Sequence, residues 1–572
     1  MPIPSCQIPM LNRVHRNMRD HTLLERAERG QALVILAAAF IGLAVFTGLT
    51  VDAGILFSNV GHLRRATDAA ALAAANQFRE GWNPEQIERE ALEMLKLNGL
   101  DDLDPLNTKV ELCDLTGLYP DNHDADLCPD PGDSPSKKVR VDARMKVNFA
   151  FLPIIGFHST FIRADAESEA ASIDMVLALD VSDSMSLDLC YDENDDGSPR
   201  DNDGDGIGNE CSEISPGEPG MDGTFDDDVA LCRDVAIPAW PSAPPYPTDA
   251  RSWAPANACW PFEDVRFAAH KLVDRMYFPY DRLSIVTFGR LPSVRLELDD
   301  TDPVTAPYSL PAVCFDPDPK ACAHKVLDGL KVEISPQDIP GYCDVTEGGD
   351  TPKGCMSTNI GDGLLQAGAR FCVDDNPKNG DCDRATEMRE EAVWITILLT
   401  DGAANAAIGD GDPANFNDWI CPESTYWPAS MEAPWCRDDD ADTRHPPGTD
   451  YDADDYARDQ ADIVGCPGPG NDPPPGCPDD GGVGSVIFSI GLGKNVTENP
   501  EDENNPRAGE FLLRYIAAVG IDADPTTDPF CSPAPPPDKG VSCGNYYFSP
   551  DGPGLVDVFE DIASRIFTRI TH

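Results

Sequence analysis

Three distant segments share one pattern, and it narrows the fold more than any other feature. They are "DMVLALDVSDSMS" (174–186), "STNIGDGL" (357–364) and "WITILLTDGAAN" (394–405). The first and third begin as short runs of Val, Ile and Leu, which read as buried strands. Their oxygen-bearing side chains stand where the runs stop: Asp180, Ser182, Ser184 and Asp401, with Thr358 in the middle segment. Ligands of an open parallel sheet collect at the carboxyl ends of strands. Hydroxyl and carboxylate oxygens are hard ligands, suited to Mg²⁺. Helix capping by Asp and Ser is the competing reading. It accounts for each segment singly but poorly for all three together.

These residues, in this order and at strand ends, resemble the metal-ion-dependent adhesion site of the von Willebrand factor A family. The resemblance implies a doubly wound, Rossmann-like α/β domain. It implies that the hydroxyls of Ser182, Ser184 and Thr358 touch Mg²⁺. Asp180 and Asp401 would act largely through water, and a sixth position would take an acidic group of a partner. Alternating strand and helix patterns fit that fold class. Strands are predicted at 172–180, 282–289, 392–402 and 484–493. Helices are predicted over 262–277, after Thr358, over "DADDYARDQADIV", over "GEFLLRYIAAVG" and over "GLVDVFEDIASRIFTRI". The resemblance covers roughly 172–570. It departs where the first helix should follow Ser184 directly, because a long insertion (185–261) intervenes. Two more insertions, 298–355 and 402–450, also carry Cys. The first and third leave from the metal face, where they either form the ligand surface or cover it.

Residues 31–51 carry no charged side chain. Continued through Phe57, broken only by Asp52 and polar Ser and Thr neighbours, the run is long enough for one bilayer crossing, which needs about 20 residues. Arg13, Arg16, Arg19, Arg26 and Arg29 precede it, and Arg64 and Arg65 follow. The bias predicts a cytoplasmic tail (1–30), a transmembrane helix (31–57) and an extracytoplasmic body. A cleaved signal peptide is the alternative. The "VDAG" at the end of the span and the "RRATDAAALAAA" after it resemble TadE/TadG-like proteins of Tad (Flp) pilus systems. Pilin-like precursors of such systems often carry Glu five residues after the processing Gly; here Ile35 stands at that distance from Gly30. Residues 58–171 are predicted as a small pilin-like α+β region. Two consecutive helices fill 62–97, interrupted near Gly81 and Pro84. Antiparallel strands at 108–113, 137–149 and 159–172 alternate apolar and polar residues.

Of 19 Cys, only Cys6 precedes the apolar run. The rest form an even set in loops rich in Pro, Gly and Asp, as expected of disulfides in an oxidising compartment. Taken consecutively they form short-range couples, Cys113/Cys128 and Cys466/Cys477 among them, although sequence alone does not fix connectivity. Zinc is the rival use of Cys, but C-x-x-C pairs and Cys/His clusters are absent from the sequence.

The first insertion holds "CYDENDDGSPRDNDGDGIGNEC" at 190–211. Asp201, Asp203 and Asp205 alternate ahead of Gly206, with Asn209 beyond, so successive oxygens can converge on one cation while Gly permits the turn. The segment resembles a thrombospondin type 3 repeat, which implies Ca²⁺. A solvated acidic turn is the plainer reading.

Lys and Arg total 43 against 100 Asp and Glu, a formal net charge of −57. Such a field repels nucleic acid and anionic lipid at long range. No P-loop, G-x-S-x-G elbow or H-E-x-x-H is present. His270 falls within a predicted helix, where a structural role outweighs catalysis. The chain is therefore expected to be no enzyme. It reads as a single-pass surface protein binding a protein or surface ligand with an acidic group, in league with pilus components. The alternatives are a purely structural pilus or envelope component without metal-dependent binding, and a hydrolase concealed in the insertions. The charge bias gives a topology prediction. A Cys introduced near residue 20 should resist a membrane-impermeant thiol reagent in intact cells, and its labelling there would reverse the orientation.

Overall fold

A computed structural model describes residues 24–78, 83–100, 103–104, 107–113, 120–128, 137–186, 235–255, 258–278, 280–298, 318–333, 358–371, 392–409, 420, 444–446, 451–467, 477–478, 481–498, 506–522 and 539–569. The chain forms two compact units. One comprises Met1–Ala73, Arg89–Val110 and Arg140–Glu167, and the other comprises Ala74–Glu88, Glu111–Val139 and Ser168–His572.

Helix α1, Leu24–Gln77, runs unbroken for 54 residues. It does not stop at residue 57: Gly54 and Gly61 are tolerated inside it, and the helix continues through the alanine-rich stretch. From Ala32 it is long and apolar enough to cross a membrane. Its side chains there face outward, and burial of apolar side chains begins at Leu63. Helix α2, Pro84–Leu97, follows after the expected break. Strands β1 (Lys109–Leu112), β2 (Lys137–Asn148) and β3 (Ser159–Ala170) form a three-stranded sheet in that order. Ion pairs Arg140–Glu167 and Arg163–Asp142 run in opposite sequence senses, which fixes β2 and β3 as antiparallel.

The larger sheet holds β4 (Ile173–Asp180), β5 (Arg282–Phe288), β6 (Pro292–Leu296), β7 (Val393–Thr400), β8 (Val486–Leu492) and β9 (Tyr546–Ser549). Its spatial order is β6-β5-β4-β7-β8-β9. Only β6 is antiparallel to its neighbour. The strand order therefore reverses between β4 and β7, the crevice where an open α/β sheet binds ligands.

Strand side chains alternate between two apolar layers. Met175, Leu177 and Leu179 join a core with α3 (Phe262–Arg275), α4 (Pro319–Asp328) and α8 (Leu555–Arg569). Ala178 and Phe288 face the opposite layer, built with α5 (Ile360–Ala369), α6 (Ala453–Gly465) and α7 (Ala508–Asp522). Helix α4 lies inside the 298–355 insertion, so that insertion supplies core as well as loop. The first insertion also packs: Trp240 stacks on the buried His270 at 4.5 Å, and His270 Nδ1 stands 2.9 Å from His324 Nδ1. Disulfides join Cys113 to Cys128 and Cys466 to Cys477.

Buried ion pairs pin the entry edge of the sheet. Arg282 clasps its register partner Asp174 with bonds of 2.9 and 2.6 Å. Lys137 Nζ reaches Asp281 Oδ1 at 2.5 Å, with both side chains 1% exposed. Asp281 also accepts from the N–H groups of Ile173 and Tyr277. Removing one partner of a buried pair strands the other charge. Asp281→Ala should therefore cost about 3–5 kcal/mol, read as a lowered urea midpoint of the detergent-solubilised chain. The double change Lys137→Met with Asp281→Asn should recover only part of the loss, because it removes the stranded charge but leaves one of the two N–H groups facing an amide nitrogen.

Candidate metal centre at the strand ends

Parallel pairing sets the site. Asp180 ends β4, opposite Phe288 of β5, and Leu179 pairs with Leu399 of β7. The residues just past these strands are thereby brought to one edge. Asp180 is fully buried. Its Oδ1 accepts from the Ser182 N–H at 2.8 Å, and its Oδ2 accepts from the Thr400 hydroxyl at 2.6 Å. Burial pushes the Asp180 carboxyl up to about 6, against hydrogen bonds from Thr400, Ser182 and the Asp401 N–H that pull it down.

A chain of oxygens crosses the crevice. Ser182 Oγ lies 2.9 Å from Ser184 Oγ, and the Ser184 hydroxyl donates to Asp401 Oδ1 at 2.8 Å. Thr358 is placed from a third direction. Its N–H donates to Asn405 Oδ1 at 2.6 Å, and its carbonyl accepts from the Asn405 N–H at 3.1 Å. A Cβ built on Gly402 would lie 3.9 Å from the Thr358 hydroxyl, so that hydroxyl borders the Asp401–Gly402 turn. All five residues singled out in the sequence thus lie around one end of β4 and β7.

The donor set fits a small divalent cation. With Mg–O bonds of about 2.0–2.1 Å, adjacent oxygens of an octahedron stand about 2.9 Å apart. The Ser182–Ser184 and Ser184–Asp401 separations are hydrogen-bond distances that hold these oxygens close enough to converge on one ion, directly or through water. The expected Ca²⁺ ligands Asp201, Asp203, Asp205 and Asn209 lie outside the described residues. A different acidic group, Asp452, Asp454 and Asp455, clusters in the first turn of α6. There Asp452 caps the helix and Arg458 pairs with Asp454 and Asp455, so local structure accounts for it.

Residues 30–77 match the family model described as "Putative Flp pilus-assembly TadE/G-like". No curated protein matches the chain. Among solved structures, the pilus adhesin SpaC from Lactobacillus rhamnosus GG is similar at 12% identity and TM-score 0.32, over 82% of this chain and 35% of that one. The vWF domain of the type V pili tip protein Mfa5 from Porphyromonas gingivalis is similar at 12% identity and TM-score 0.29, over 70% of this chain and 97% of that one. Proximal thread matrix protein 1 from the mussel byssus, with a zinc-occupied MIDAS motif, is similar at 14% identity and TM-score 0.25, over 70% and 46%. The chain thus spans about a third of SpaC and under half of the byssus protein.

Several positioning residues escaped the sequence reading. Asn359 caps α5, donates its backbone N–H to the Gly289 carbonyl at 2.8 Å, and donates its side-chain amide to the Arg290 carbonyl. Asp362 collects Asn359, the Ile408 N–H and the Tyr456 hydroxyl at 2.7, 2.7 and 2.9 Å. Gly361 lets α6 approach, because a Cβ there would fall 2.3 Å from the Tyr456 ring. Glu333, from the second insertion, donates its N–H to the Val181 carbonyl at 2.7 Å. Its carboxylate lies over Gly289, where a built Cβ would be 2.8 Å from Oε2 and 3.6 Å from Ser182 Cα. The second insertion therefore borders the serine loop, in addition to the third, whose Asn405 bonds Thr358. Short Asn and Glu side chains outside any run give no periodic signal.

The Asp180 environment carries a pH sign. Its folded pKa is raised above the ordinary 3.8 to about 6. Its contribution is thus fully present below the unfolded value and is lost as pH rises through about 6. Without added metal, going from pH 4 to pH 7 should move the stability difference between wild type and Asp180→Asn against wild type, by about 2 kcal/mol. Thermal unfolding of both proteins in EDTA across this range measures it.

Proposed function

We propose that this chain is a membrane-anchored, extracytoplasmic component of a Tad/Flp-type pilus system with a von Willebrand factor A-like domain. In this reading the domain binds an acidic group of a protein or surface partner through Mg²⁺. The observation that carries it is the convergence of Asp180, Ser182, Ser184, Thr358 and Asp401 at the reversal point of the sheet. The strand order with one antiparallel edge strand supports the A-like assignment. The TadE/G-like match supports the pilus assignment.

In this reading the roles divide by charge. Ser182, Ser184 and Thr358 offer neutral oxygens. Asp180 and Asp401 supply the negative charge that balances the ion, while Thr400 and the Ser182 N–H hold Asp180 in one orientation. Bound Mg²⁺ would supply a positive charge able to take a partner carboxylate in a chain that otherwise repels acids at −57. Asp201, Asp203, Asp205 and Asn209 would hold Ca²⁺ in the first insertion. No enzymatic activity is proposed. A second reading, an assembly component that never uses the metal, draws on the TadE/G-like segment alone.

Envelope proteins of the source cells, offered to the purified chain in Mg²⁺ and in EDTA, separate the two readings. The metal reading expects partners retained in Mg²⁺ and released by EDTA. Asp180→Ala and Asp401→Ala should each abolish retention, and Thr358→Ala should weaken it, with folding verified by circular dichroism. The site lies at a loop-bearing edge, so none of these should unfold the domain. Equal retention by folded Asp180→Ala in EDTA would assign recognition to the insertions.

A further inference from the structure

Within the first unit, the loop between β2 and β3 is fastened to the apolar helix at one position. Asp52 is 1% exposed, in a stretch of α1 that otherwise faces outward. Its carboxylate accepts from three consecutive backbone N–H groups: Ala150 at 2.6 Å, Phe151 at 3.0 Å and Leu152 at 2.6 Å. Successive amides converging in this way form an anion-binding nest. Gly48, one turn earlier on the same helix face, makes the approach possible. A Cβ there would fall 3.1 Å from Phe151 Cβ. Gly48 and Asp52 are the buried positions between Ala32 and Asp52.

The loop so held is apolar and points away from the protein. Ile154 is 82% exposed, Ile155 69% and Phe157 63%. Residues 149–157, "FAFLPIIGF", carry no charge. The backbone is closed on itself: Gly156, at φ +97°, caps the turn of Leu152–Ile155, and the Phe157 N–H bonds the Leu152 carbonyl. A large exposed apolar patch on a fixed loop needs a non-aqueous partner.

Length identifies that partner. Residues 31–51, between Arg29 and Asp52, carry no charged side chain. In helix α1 that uncharged run measures about 30 Å at 1.5 Å per residue, the thickness of a bilayer hydrocarbon core. A helix whose uncharged run fills the membrane therefore delivers Asp52 to the far boundary, where a hydrogen-bonded carboxylate is tolerated. The loop is continuous with the lipid-facing surface of α1 at that level. We propose that the β2–β3 loop is a membrane-interface anchor, with Ile154, Ile155 and Phe157 dipping into the acyl region of the outer leaflet and Asp52 holding the loop there. This inference rests on α1 being a membrane span.

The test uses the full chain in phosphatidylcholine vesicles, with p-benzoylphenylalanine in place of Ile155 or of Phe40. After irradiation, mass spectrometry reads the adducts. Lipid adducts at both positions are expected, and Asp52→Ala should abolish the adduct at 155 while sparing that at 40. Lipid adduct at 40 with none at 155, or an adduct at 155 to a second copy of the chain, overturns the loop anchor but keeps the span. Absence of lipid adduct at both positions overturns the span and the anchor together. An undiminished adduct at 155 in Asp52→Ala would remove Asp52 from its holding role.

Discussion

Everything at the candidate metal centre depends on β4 being paired in parallel on both sides. Because β5 lies on one flank and β7 on the other, and the helices leading to them (α3 and α5) pack on opposite faces of the sheet, a crevice opens at the carboxyl end of β4. Asp180 closes β4 inside that crevice, and the Thr400 hydroxyl at the end of β7 ties the two strands together through Asp180 Oδ2. The buried pairs Arg282–Asp174 and Lys137–Asp281 do the complementary work at the opposite edge. A slip of one residue between β4 and β5 would separate Asp174 from Arg282 and turn the strand's apolar faces over. Register and site geometry are therefore fixed by the same pairing.

The charge balance gives this geometry a direction. Asp180 is buried with hydrogen-bond donors around it, and burial alone drives its carboxyl toward the neutral form. A divalent cation would reverse that tendency, as a positive neighbour favours the charged form of an acid. The amino-terminal unit meets its own buried acid differently. Asp52 is answered by three backbone amides rather than by an ion, which suits a residue at the edge of an apolar span. Two acids, both nearly inaccessible, are thus accommodated by different means.

Much of the architecture was legible because the relevant runs are periodic and apolar. Strands β4, β5, β7 and β8 and helices α3, α6, α7 and α8 fall within a few residues of their expected places. Strands β6 and β9 were not read. The first is "PSVRL", an edge strand beginning at Pro, where a missing N–H is tolerated. The second is "YYFS", too short to show alternation. Helix α4 was missed because "PKACAHKVLD" sits in a stretch whose Cys, Pro and Asp content signals loop. At the candidate site, Asp180, Ser182, Ser184 and Asp401 stood out by their places at strand ends, and Thr358 by its order in the resemblance. Asn359, Asp362, Asn405 and Glu333 did not, since their value lies in contacts between distant segments. Asp52 was visible only as a blemish in an apolar run, and its partners in residues 150–152 required the fold.

The central claim is that one small cation is held between β4 and β7. Crystals of the chain soaked in Mn²⁺, a hard-ligand surrogate for Mg²⁺, test it through anomalous scattering. The account predicts a single strong peak among the hydroxyls of Ser182, Ser184 and Thr358, lost in Asp401→Ala. A Mn²⁺ peak at Asp452, Asp454 and Asp455 with none at the serine loop would contradict it.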